Sequence, residues 1–145
     1  MKATATDHFE DPRFLNIDLE VRSRRSLGDL VAAWPWCYQP LVENGRADSR
    51  WLVLNPRSAR NPTAEAAARE LLQHIEKLGG GARQCWKHAH RRTFDIGIRA
   101  GVSGPAFEEV RLTTETLRRI AAVGASIQVT VYPPQPIDQS KRIDR

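Results

Sequence analysis

The chain has 145 residues, of which 41% are hydrophobic and 27% charged, enough for one domain with its own core. No apolar run approaches the roughly 20 residues of a bilayer span. The opening MKATATDHFEDPRF lacks the apolar segment of a secretory signal, so a cytoplasmic protein with no membrane partner is expected. A net charge of +5, with acids and bases interleaved, does not by itself single out nucleic acid.

In chain order, residues 1–13 read as a flexible arm, 14–134 as a single domain and 135–145 as an irregular tail. Leu15, Ile17, Leu19 and Val21 alternate with Asn16, Asp18, Glu20 and Arg22. That period of two predicts a strand with one buried and one wet face. Leu27, Leu30, Val31 and Trp34 then recur at helical spacing, and Pro35 stops the helix. YQPLV reads as a short strand before the Asn44-Gly45 turn, and RWLVLNP as a strand closed by Pro56.

The clearest helix follows Thr63, a good N-cap, with Ala67, Leu71, Ile75 and Leu78 along one face and the Gly79–Gly81 run as its end. RTFDIGIRAG predicts a strand with Phe94, Ile96 and Ile98 on one side and Thr93, Asp95, Gly97 and Arg99 on the other. AFEEVRL reads as a short strand, TTETLRRIAAVG as a helix with Leu117, Ile120, Ala121 and Val123 inward, and SIQVTVYPP as the closing strand. The order β-α-β-β-α-β-β-α-β predicts an α+β fold, a ferredoxin-like sandwich with one mostly antiparallel sheet and helices packed on one face.

Several segments resemble a small bacterial family, catalogued as domain of unknown function forty-two seventy-nine. The resemblance rests on FLNIDLEVRS, SRWLVLNP, AARELLQHIEKL, FDIGIRAG and TLRRIAAVGASIQVTVYP, across residues 14–134. It implies a small α+β protein, with a role for some members as immunity proteins against bacterial toxins, and it carries no catalytic residue set.

The residues that invite chemistry each have a plainer reading. In CWKHAHRR, His88 and His90 would share a face of an extended segment, but two histidines without a second ligand pair do not make a metal site. The stretch reads as the link into the next strand, with Trp86 packed on the long helix and His88, His90 and Arg91 in solvent. Cys37 and Cys85 fit neither a disulfide framework nor a zinc knuckle. Arg24, Arg25, Arg91 and Arg92 could meet phosphate, but the wet sheet face carries Asp18, Glu20 and Asp95, with Tyr132 as its lone aromatic. Those carboxylates would cluster if their strands are neighbours, and a solvated, ion-paired face is the simpler role for them. No nucleophile, phosphate-loop or dinucleotide motif is present in the sequence.

The sequence thus predicts a non-enzymatic binding protein with no cofactor and no metal. Its partner would be a protein, in the immunity reading a toxin domain, with a homodimer allowed for. Nucleic acid, met by the scattered arginines, is the weaker alternative. The expected contacts are Asp18, Glu20, Arg22, Asp95, Arg99 and Gln128 on the wet face, with Trp36 and Tyr38 nearby as aromatic anchors.

Overall fold

The alternation at the start of the domain forms a ten-residue strand, β1 (Arg13–Arg22). A computed structural model describes residues 11–57, 63–102 and 109–136. After β1 come α1 (Gly28–Ala33), β2 (Trp51–Leu54), α2 (Ala64–Glu76), α3 (Gly80–His88), β3 (Arg91–Arg99), α4 (Thr114–Ala122) and β4 (Ser126–Tyr132). The four strands make one mixed sheet in the order β2-β1-β3-β4. β1 runs antiparallel to both β2 and β3, whereas β3 and β4 are parallel, with α4 as their crossover. The α+β class is as the sequence predicts.

Cross-strand pairing builds the core from one face of this sheet. Leu19 lies between Leu54 of β2 and Phe94 of β3, Val21 opposite Leu52, and Ile17 opposite Ile96, all of them buried. The helices bring Leu30, Ala67, Ala68, Leu71, Leu72, Ile75, Trp86 and Ile120 against them. Trp34 and Trp86 meet edge-on, with ring centroids 6.4 Å apart, and Trp86 Nε1 donates to the Val123 carbonyl at 2.9 Å. Trp34 is therefore a core residue, as its spacing predicts.

Two helices are clamped side by side by a carboxylate at each end. Thr63 caps α2 by accepting from Ala66 N, and Thr113 caps α4 by accepting from Thr116 N. Glu65, in the first turn of α2, accepts from Thr113 N at 2.9 Å, Thr113 Oγ1 at 3.0 Å and Thr116 Oγ1 at 2.6 Å. Burial works against the Glu65 charge, but the hydrogen bonds from Thr116 and Thr113 outweigh it and hold the carboxyl below its usual range. At the far ends, Glu76 takes a two-pronged bond from Arg119, both contacts at 2.8 Å.

Several expectations are corrected. CWKHAHRR is not an extended link: Cys85–His88 close α3, so His88 ends a helix while His90 enters β3 by donating its backbone N–H to the Arg22 carbonyl. The Gly79–Gly81 run both ends α2 and opens α3, with extended Gly79 as N-cap and Gly80 at φ +52°. The expected strand at 38–42 shrinks to two isolated bridges, Tyr38 to Val53 and Leu41 to Ala47. Of the expected strand at 106–112, residues 106–108 lie outside the described residues and 109–112 form no strand. Thr93 lies on the wet side of β3, as expected, but is buried there, with its hydroxyl 3.1 Å from that of Ser126. Leu117 and Ala121, expected inward, are exposed.

Two stability measurements follow. Leu19→Ala, at the centre of three strands, should cost about 2–5 kcal/mol in urea unfolding. Glu65→Ala should cost about 1–2 kcal/mol at neutral pH, because it removes the hydrogen bonds that tie α2 to the N-terminus of α4. Since the folded Glu65 pKa is depressed, that contribution is present above the ordinary carboxylate pKa and lost as pH falls through the folded value. The gap between wild type and variant should therefore close in acid.

Candidate functional site

The sheet face turned away from the helices is built by the alternate residues of the same strands. β1 places Asn16, Asp18, Glu20 and Arg22 on it, and β3 places Arg91, Asp95, Gly97 and Arg99. Gln128, Thr130 and Tyr132 of β4 continue it on one side, Trp51 and Val53 of β2 on the other. Six of the eight predicted contact residues, Asp18, Glu20, Arg22, Asp95, Arg99 and Gln128, thus share one surface. Tyr38 joins at its margin: it bonds Val53 through both backbone groups at 2.8 Å and is 58% exposed. Trp36 lies elsewhere, against the helix layer. Its ring centroid is 5.1 Å from that of His74 in α2, and the Arg57 guanidinium sits 4.6 Å above it.

The register sets like charges opposite one another. Asp18 faces Asp95, Arg22 faces Arg91, and Arg13 faces Arg99. Directly opposed like charges on neighbouring strands are unfavourable. The face is therefore a stripe of acid between two ends rich in arginine.

Neutral donors support the acidic centre from its flanks. Asp18 Oδ1 accepts from the side-chain amides of Asn55 and of Asn16, the latter at 2.9 Å. Asp95 accepts from Thr130 Oγ1 at 2.7 Å and from Gln128 Nε2 at 3.3 Å. Burial pushes the Asp18 carboxyl above its usual range, the Asp95 charge pushes it further, and the Asn55 bond offsets part of the rise.

One arginine end is organised round Glu20, whose side chain is 14% exposed. Its Oε1 accepts from Arg22 Nε, and its Oε2 lies 3.7 Å from Arg91 Nη2. The Arg22 guanidinium stacks 4.0 Å over the Trp51 ring. Arg91 also donates to Gln128 Oε1 at 3.0 Å. A polar chain therefore runs from Trp51 through Arg22, Glu20, Arg91 and Gln128 to Asp95. Towards the other end, Gly97 leaves room for its neighbours: a Cβ there would come within 3.1 Å of Asn16 Oδ1 and 3.5 Å of the Tyr132 ring.

The sequence reading missed Trp51 and Asn55 as parts of this surface, left Thr130 out of the expected contacts, and placed Arg91 in solvent, where it is exposed, without assigning it to this face. Parity was the available signal. Arg91 stands four residues before Asp95, so the two point to the same side of a strand. Trp51 follows from the alternation in WLVL once its register with β1 is known.

The other chemical candidates separate in space. Cys37 and Cys85 are free, partly buried thiols. Among the described residues, no group of three or more His, Cys, Asp or Glu side chains is placed to hold a metal. Likewise, no helix among them is long and apolar enough to cross a membrane. Arg92 points into the helix layer, where Nη1 donates to the Trp86 carbonyl at 3.2 Å and the guanidinium lies over the Trp86 ring. It therefore cannot act with Arg91, which is on the opposite face. A cavity of about 240 Å³ is lined by Phe14, Glu65, Val110 and Thr113, and another of about 280 Å³ by Trp34, Trp36 and His74; neither touches Asp18 or Asp95.

No protein-family model, curated protein or solved structure matches the chain.

The opposed carboxylates make a pH prediction. Asp18 has a raised folded pKa, so its protonated form contributes stability that is present below the unfolded pKa and lost as pH rises through the folded one. Asp95→Asn removes the repulsion. It should raise stability at neutral pH by roughly 0.2–1 kcal/mol and change it little in acid. Chemical denaturation at both pH values checks this, and a variant less stable at neutral pH would contradict it.

Proposed function

We propose that this chain is a non-enzymatic, cytoplasmic binding module that recognises a protein partner through the open face of its sheet. The observation that carries the reading is the register, which sets Asp18 against Asp95 between two arginine ends. Hydrophobic packing decides that register, so the charge opposition is a standing cost on the free protein. A partner that places a lysine or arginine over Asp18 and Asp95 relieves it, and acidic groups on its flanks meet Arg22, Arg91 and Arg99. Charge patterns of this kind give register and partner choice. Tyr38 and Trp51 at the margin supply aromatic area of the sort that anchors interfaces.

The resemblance in strand and turn pattern supports a toxin as that partner, neutralised by occlusion. Occlusion asks for a complementary surface and no chemistry. The two carboxylates are partly buried and held by neutral donors on their flanks, a setting that suits recognition of a cationic group.

The experiment is to recover the tagged protein from its host, with and without nuclease, identify what accompanies it by mass spectrometry, and titrate the partner calorimetrically. A stoichiometric protein partner that survives nuclease is expected. The double variant Asp18→Lys/Asp95→Lys should weaken its binding by about 2 kcal/mol or more, roughly 30-fold, with an unchanged circular dichroism spectrum. Unaltered affinity would move the interface off this face. Association lost on nuclease treatment would bring forward the exposed Arg24 and Arg25 and overturn the reading.

A further inference from the structure

The helix-facing side of β4 is anomalous. Ile127, Val129 and Val131 pair with Phe94, Ile96 and Ile98 of β3 and so lie on the core side of the sheet. Their partners Phe94 and Ile96 are buried, yet they themselves are 40%, 54% and 63% exposed. β4 is also an edge strand: among the described residues no strand lies beyond it. The Tyr132 carbonyl accepts from Ala100 N, so the even-numbered backbone groups of β4 face β3. In a parallel pair the N–H and C=O of each residue point the same way and alternate along the strand. The backbone groups of Ile127, Val129 and Val131 consequently face outward.

Edge strands are normally blunted by charge, proline, a bulge or brevity. The seven residues SIQVTVY carry none of these. The opposite edge is treated differently. β2 has four residues, and Tyr38 takes up both backbone groups of Val53. Among the described residues one edge is protected and one is open, which disfavours head-to-tail addition of β4 to β2 of the next copy and leaves β4 to meet itself.

The strand is complementary to itself. In antiparallel pairing about Val129, Ile127 stands opposite Val131 of the second copy, Gln128 opposite Thr130, and Ser126 opposite Tyr132. Apolar residues meet apolar residues on one face, and amide meets hydroxyl on the other. The strand is neutral, so a chain of net charge +5 meets its copy without opposing like charges at the contact. The outward backbone groups of residues 127, 129 and 131 are those that exchange hydrogen bonds in that register.

We infer that the protein forms a two-fold dimer by antiparallel pairing of β4 with β4 of a second copy, centred on Val129. The product is a continuous eight-stranded sheet with both open polar faces on one side. An isologous contact of this kind closes on itself and does not propagate. It uses the backbone edge of β4, which adjoins the proposed partner face at Gln128 and Thr130, and its test reads the oligomeric state alone, so either can fail without the other.

Light scattering on the intact chain should give twice the 16.4 kDa monomer mass. Val129→Arg puts two cations on the axis and should give a folded monomer, with folding checked by circular dichroism. Register is tested separately by oxidative crosslinking with Cys37 and Cys85 both changed to Ser. Val129→Cys should form an intermolecular disulfide, because residues so opposed have Cα atoms about 5.5 Å apart, within disulfide reach. Val131→Cys should not, because its opposite is residue 127. A monomer at all concentrations, assemblies larger than a dimer, or equal crosslinking at both positions would overturn the inference.

Discussion

Everything on both faces of the sheet depends on the pairing of β1 with β3. Magnitudes show why its register holds. Burying a Leu, Ile, Val or Phe side chain contributes about 1.5–3 kcal/mol, and Ile17, Leu19, Val21, Phe94 and Ile96 are all buried through this one ladder. Opposed like charges cost at most about 1 kcal/mol a pair on a partly exposed face. A slip of β1 by two residues would set Glu20 opposite Arg91 and Asp18 opposite Thr93, a better electrostatic arrangement. It would also bring Leu19 opposite Arg92 and break its alignment with Phe94. The apolar face wins by several-fold, and the polar face inherits whatever charges that register imposes.

This explains how a surface can store electrostatic cost in a stable fold. Glu20 bridges one arginine pair, and neutral amides and hydroxyls support the acids, so the cost is softened without being removed. The carboxylates bond outward to Asn16, Asn55, Gln128 and Thr130, and none of these bonds joins Asp18 to Asp95. The space between the two acids is where an incoming cation gains from both charges. Replacing either aspartate with a neutral residue would relieve the repulsion between them.

Strand alternation makes much of this legible in the sequence. Period two in residues 15–22 and 93–99 assigned Asp18, Glu20, Arg22, Asp95 and Arg99 to the wet face, because side-chain direction in a strand is a local property. What escaped was non-local or ambiguous. Whether Asp18 faces Asp95 depends on register, which the two strands set only together. α3 escaped because three glycines normally end a helix; here Gly79 is extended and Gly80 left-handed, so the chain turns and starts again, and Trp86 anchors the new helix in the core. Trp36 and Tyr38 are two residues apart in sequence and part company because one packs on His74 while the other bridges to Val53.

β4 shows the limit of reading burial from pattern. Its alternation is as clean as that of β1, and the same rule gives both strands a core side and a wet side. For β1 the rule succeeds because β2, β3 and the helices surround it. For β4 the apolar side lies at the rim of the sheet, where α4 buries Thr116 and Ile120 towards α2 and leaves Leu117 exposed. Glu65 and Glu76 tie α4 to α2 at both ends. Apolar periodicity in a sequence reports which side of a strand seeks cover. Whether that cover comes from the same chain is decided by where the helices are held, and here α4 is tied to α2 while Ile127, Val129 and Val131 stay exposed.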